Sequence, residues 1–77
     1  MNDIKFSVGD IWLNRIEEPN IITKMTSGDY PIIATNTTTG TVMNFSRSGE
    51  EVSYHFDSDL DLIVYVGKIK DYPEYIL

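Results

Sequence analysis

HFDSDLDLIV, residues 55–64, carries an aspartate at every second position, Asp57, Asp59 and Asp61. Two folds compete for those letters. In a helix–loop–helix calcium site of the EF-hand type the aspartates would be the first, third and fifth loop positions. Such a loop also needs glycine at the sixth position for a sharp turn and a bidentate glutamate at the twelfth. Here the sixth is Leu62 and the twelfth is Lys68. A β-strand needs neither, because side chains that alternate with a period of two put the aspartates on one face and Leu60, Leu62 and Val64 on the other. The strand reading accounts for the whole stretch and sends the chain towards β structure.

The same grammar runs outward in both directions. Immediately upstream, Glu51–Phe56 alternates most cleanly, with Val52, Tyr54 and Phe56 on one face and Glu51, Ser53 and His55 on the other. Further back, turn residues separate short runs rich in Thr, Val, Ile, Tyr and Phe, and no segment keeps a helical apolar period for three turns. Strands are predicted over Ile11–Ile16, Ile21–Thr26, Ile32–Asn36, Thr41–Ser46, Glu51–Phe56 and Leu60–Val66. Between them fall Glu17-Glu18-Pro19-Asn20, Ser27-Gly28-Asp29, Thr37-Thr38-Thr39-Gly40 and Arg47-Ser48-Gly49. Proline fixes φ and cannot donate to a ladder, and glycine takes the positive φ that tight hairpins demand.

Five to six short strands joined by tight turns predict an all-β protein, a small SH3-like barrel or a strongly bent antiparallel sheet, which limits exposed edges. The expected organisation is one domain over residues 1–77, with a β core at about 8–66 and a C-terminal tail at 67–77. Trp12, Ile22, Ile32, Val42, Tyr54, Leu62 and Val64 are the expected core.

Composition narrows the chemistry. A chain of 77 residues hides only about 60% of its unfolded surface. It has no cysteine, hence no disulfide or thiolate metal site, which suits a reducing compartment. The opening MNDIKFSVGD lacks an apolar run behind a basic patch, and the longest apolar stretch, Ile63 to Val66, is too short to span a bilayer. A cytoplasmic protein without a membrane partner is expected. Twelve acidic residues against six basic ones give a net charge of −6, which argues against direct nucleic-acid binding through a basic face.

Catalysis finds little material. His55 is the only histidine, and no nucleophile stands with a base and an orienting group. The glycines are scattered one per turn, so no phosphate-cradling loop forms. No catalytic residue, cofactor site or metal site is expected. Trp12, Tyr30, Phe45, Tyr54 and Tyr65 have the stacking surface of a nucleic-acid-binding barrel, but they lack the basic residues that hold a backbone and read mainly as core.

Two features point to a protein partner instead. Glu50, Glu51, Asp57, Asp59 and Asp61 lie between Ser48 and Val66 without a lysine or arginine among them. Such a run is an ordinary solvated strand entry, or it imitates phosphates for a partner's cationic groove. The tail KIKDYPEYIL then places Tyr72, Tyr75, Ile76 and Leu77 beyond the last predicted strand. Apolar groups there pack back over an open barrel end, or they form an exposed patch for a partner or a second copy of the chain.

The punctuation of the chain resembles a family. Gly9-Asp10-x-Trp12, Tyr30-Pro31-Ile32-Ile33, Phe45-Ser46-x-x-Gly49 and Asp59-Leu60-Asp61-Leu62-Ile63 follow the order and spacing of short, mostly uncharacterised proteins encoded by tailed bacteriophages. The likeness covers residues 8–64 or so; where the family has arginine-glycine after its first strand, this chain has Arg15 followed by Glu17-Glu18. The resemblance implies an accessory protein made early in infection that binds and inhibits a host protein, for counter-defence or host takeover. Glu50, Glu51, Asp57, Asp59, Asp61, Tyr72, Tyr75, Ile76 and Leu77 are the candidate partner-binding residues. Two other readings stay open: a DNA-mimic decoy of a DNA-binding protein, and a protein that sequesters a small molecule such as a nucleotide signal.

Overall fold

Tight turns make neighbouring strands pair antiparallel, and three such turns build most of this molecule. The computed structural model describes residues 6–51 and 59–75. Its five strands are β1 (Asp10–Leu13), β2 (Pro19–Met25), β3 (Ile32–Asn36), β4 (Val42–Phe45) and β5 (Val64–Lys68). They form one antiparallel sheet in the order β4-β3-β2-β1-β5, a meander whose last strand returns to lie beside the first. No ladder joins β4 to β5 among the described residues, whose strands form an open sheet, consistent with the expected bent antiparallel sheet. The gap is spanned by the Leu62 N–H, which donates to the Gly49 carbonyl at 2.8 Å. The predicted strand Glu51–Phe56, including the expected core residue Tyr54, falls almost wholly outside the described residues.

The core lies on one face of the sheet, here called the inner face. Trp12, Ile22, Ile32, Ala34 and Phe45 contribute from the strands, and Phe6 and Leu62 from the segments flanking β1 and β5. Met25 and Met43 pack against them. Trp12, Ile22, Ile32 and Leu62 are buried, as expected. Val42 and Val64 are not: they are 62% and 47% exposed. In β4 the inner positions are Met43 and Phe45, which leaves Val42 on the outer face beside Thr35.

Val64 illustrates a second correction. The predicted strand Leu60–Val66 would carry one alternation from Leu60 to Val66. Instead Asp59 and Leu60 form a turn, Leu62 enters the core outside any strand, and β5 begins at Val64 and runs to Lys68. A bend resets the phase, so Leu62 and Val64 do not share a face.

Two bulges reset the phase again. In β2, Ile22 pairs with Ala34 but Lys24 pairs with Ile33, so Thr23 is the extra residue, and Met25 rather than Lys24 reaches the core. In β5, Trp12 pairs with Tyr65 while Ile11 pairs with Gly67, so Val66 is extra. Such an insertion kinks the strand and re-aims the side chains beyond it. Here it turns Lys68 to the inner face, opposite Asp10.

After β5 the tail makes two short 3-10 turns, Ile69–Asp71 and Pro73–Tyr75. The Ile69 N–H donates to the Gly9 carbonyl at 2.7 Å. The Tyr72 ring sits so close over Gly67 that an added Cβ would meet it at 2.6 Å. Gly67 pairs with Ile11, so the ring lies over the outer face of the β1–β5 pair.

Candidate functional site

The Ser46–Glu50 turn brings part of the acidic run together. The Ser46 hydroxyl accepts the Glu50 N–H at 3.1 Å, and the Glu50 carboxylate accepts the Ser48 hydroxyl at 3.1 Å. Across the gap the Glu51 N–H donates to Asp61 Oδ1 at 2.9 Å, and the Arg15 N–H donates to the Asp59 carbonyl at 3.0 Å. Glu50, Glu51 and Asp59 therefore border one region. Asp61 does not belong to its surface. The strand reading turned it to solvent, yet it is 4% exposed, holding the Glu51 amide and facing the Arg15 guanidinium at 3.8 Å. A buried carboxylate with a cation and an amide on its oxygens is a structural strut. Asp57, Ile76 and Leu77 lie outside the described residues.

Beside that acidic border the chain exposes apolar side chains that the sequence reading assigned differently or left out. Ile63, Val64 and Tyr65 follow one another at 43%, 47% and 50% exposure. Val64 pairs with Leu13, one row along the outer face from the Ile11–Gly67 pair that carries Tyr72. Tyr72 and Tyr75 are half-buried with ring centroids 6.2 Å apart. The tail aromatics and Val64 thus share the outer face of the sheet, while Tyr65, paired with Trp12, lies on the inner side.

A separate cleft of about 390 Å³ opens on the inner side of the β1–β5 pair, lined by Ser7, Asp10, Trp12, Tyr65 and Lys68. Asp10 and Trp12 are two residues apart on β1 and so point the same way. The Asp10 carboxylate is buried and fully engaged by its own chain. Its Oδ2 accepts the Ser7 N–H at 2.8 Å and the Trp12 indole N–H at 3.3 Å, and its Oδ1 meets the Lys68 ammonium at 2.6 Å. The hydrogen bond to Asp10 is the main reason the Lys68 ammonium is held above the ordinary lysine range, with burial working against it. Trp12 packs between Phe6 and Tyr65, with ring centroids 4.2 Å and 5.4 Å away. The Asp10-x-Trp12 spacing is a legible signal for half of this cleft. Lys68 gave none, because only the bulge brings it round.

The opposite end of the inner face is closed by amides. Asn14 Oδ1 accepts the N–H groups of Ile16 and Glu18, and Asn36 Oδ1 accepts those of Thr38 and Thr39, so each asparagine pins its own turn. Both side-chain amides then donate to Glu18 Oε1 at 2.9 Å, which ties the β1–β2 turn to the β3–β4 turn. Asn20 donates to the Glu18 carbonyl, and its own Oδ1 is buried without a partner. The hydrogen bond from Asn14, then that from Asn36, holds the Glu18 carboxyl below the ordinary glutamate range, with desolvation opposing. A depressed carboxyl stabilises the fold above its unfolded-state pKa, and that contribution is lost as pH falls through the folded-state value. Glu18→Gln, which cannot ionise, is therefore expected to melt below the wild type at neutral pH, and the gap should close under acid conditions. Thermal melts across a pH series check this; a gap that widens on acidification would refute it.

Among the described residues no three His, Asp or Glu side chains converge as metal ligands, and no helix is long and apolar enough to cross a membrane. No family model, curated protein or solved structure matches the chain.

Proposed function

We propose that this protein acts by binding another protein and blocking it, as a phage accessory product directed at a host factor. One observation supports the binding mode: Ile63 and Val64 are adjacent and each nearly half exposed, close after Asp61, whose carboxylate holds the Glu51 amide at the acidic border. Apolar anchors supply affinity, while rim charge mainly steers encounter and sets partner choice. The partner that fits presents an apolar strip with basic residues beside it. The phage origin rests on the sequence resemblance alone. A decoy that imitates DNA draws less support, because Asp61 is buried and Arg15 lies among the acids.

The test is capture from a lysate of the host bacterium. Ile63→Ser with Val64→Ser is expected to weaken capture of the wild-type prey about tenfold or more, since exposed apolar anchors are lost without touching the core. Asp59→Asn should slow association at low salt and leave the complex intact. If salt and Asp59→Asn abolish capture while the apolar pair is dispensable, the decoy reading replaces this one. If the wild type retains no prey, the inhibitory reading fails.

A further inference from the structure

We infer that the cleft between β1 and β5 is a binding site for a planar, uncharged aromatic ring bearing a carbonyl oxygen, the chemistry of an oxo-purine or pyrimidine base. The inference stands apart from the partner-binding strip and shares no residue with it.

The cleft has a volume of about 390 Å³ and is shallow and open to solvent, a shape that suits a flat ring laid against one wall. Its aromatic wall is Tyr65, which is half exposed while its other neighbour, Trp12, is buried and anchors it at 5.4 Å with the rings tilted by 55°. A half-open phenol ring offers a stacking platform that accepts any base. The polar wall is Lys68. An ammonium has three N–H groups; Asp10 takes one at 2.6 Å, and the side chain remains 37% exposed. Exposed Ser7 adds a hydroxyl at the rim.

Those groups select the ligand. The Asp10 carboxylate is only 4% exposed and occupied by three donors, so it is closed to a ligand's N–H. What the cleft offers is a fixed donor, and the complementary ligand carries an acceptor. An exocyclic amine at the same place would set N–H against N–H. Charge then decides between a neutral acceptor and an anion. Asp10 cancels Lys68 within the cleft, and the whole chain carries −6, so nothing there compensates a phosphate. The bulge at Val66 is what assembles the site, since it brings Lys68 onto the face of Trp12 and Tyr65.

The chain has one tryptophan, and its indole N–H lies in the cleft wall, hydrogen-bonded to Asp10. Its single indole peak in a proton–nitrogen NMR spectrum therefore reports occupancy. Inosine and adenosine share a ring system and differ at its six-position edge: inosine carries a carbonyl beside N1–H, adenosine an amine beside an unprotonated N1. Millimolar inosine is expected to shift the indole peak saturably, with adenosine about tenfold weaker, the loss of one hydrogen bond converted to affinity. Tyr65→Ala should weaken inosine by a similar factor, the cost of one stack, while Tyr65→Phe keeps the ring and the binding. A dispersed indole peak in Tyr65→Ala shows that the fold is intact. The Ile63→Ser, Val64→Ser protein should bind inosine like the wild type, which separates this site from the partner strip. No saturable shift with inosine, equal binding of adenosine, or displacement of inosine by inorganic phosphate would each overturn the proposal.

Discussion

Replacing Gly49 with alanine is expected to destabilise the protein by about 2–5 kcal/mol, combining the strain of a left-handed residue with overpacking. Gly49 has φ +87°, a conformation in which a Cβ crowds its own backbone. The added carbon would also stand 2.6 Å from Phe6 Cζ and 3.1 Å from the Leu62 carbonyl oxygen. The phenyl ring can shift; the Leu62 backbone cannot, because its N–H is bonded to the Gly49 carbonyl. Gly49 is thus the point where the N-terminal segment, the β4 turn and the entry to β5 meet, and it spans the open side of the sheet. A domain this small holds on the order of 5 kcal/mol in total, so the variant should be largely unfolded or close to it. Gly40→Ala is the control: φ is +77°, but nothing lies within 4 Å of the new carbon, so only the backbone strain is felt. Urea denaturation of both checks the contrast through their midpoints. Equal losses would mean that the packing of Phe6 and Leu62 on Gly49 is not what joins the edges.

The second large effect separates two neighbours on β4. Phe45→Ala is expected to cost about 3–5 kcal/mol, the usual loss for a buried phenylalanine, because Phe45 is completely buried in the core cluster with Trp12, Ile32 and Leu62. Val42→Ala should cost less than about 1 kcal/mol, a change of strand propensity on an open surface, because Val42 is 62% exposed on the outer face. Val42 is an expected core residue from the sequence alone, so the pair of melts tests the strand phase directly. A loss at Val42 as large as that at Phe45 would restore the sequence phase.

The all-β class and the turn positions were legible because they depend on neighbours in sequence. Gly28, Gly40 and Gly49 mark places where φ must be positive, and the strands between them fall close to the predicted ranges; the expected turn Glu17-Glu18-Pro19-Asn20 is shorter than read, because Pro19 and Asn20 already belong to β2. Ile32–Asn36 matches residue for residue. Placement within a regular strand was legible too, which is why Trp12, Ile22 and Ile32 were found in the core; Leu62 is also buried there, but from outside any strand. What sequence could not supply was phase across an irregularity. The extra residues Thr23 and Val66 are inserted where partner strands fix the register, and they bring Met25 into the core and Lys68 onto the cleft. The turn at Asp59-Leu60 likewise separates Asp61 and Leu62 from the strand that follows. Asp61 is buried because Arg15 and the Glu51 amide reach it from segments far away in sequence, and a carboxylate leaves water only when such partners are in place. Local chemistry decided the strands and the turns; the partners brought together by folding decided which faces the last strand shows to solvent and which side chains meet in the cleft.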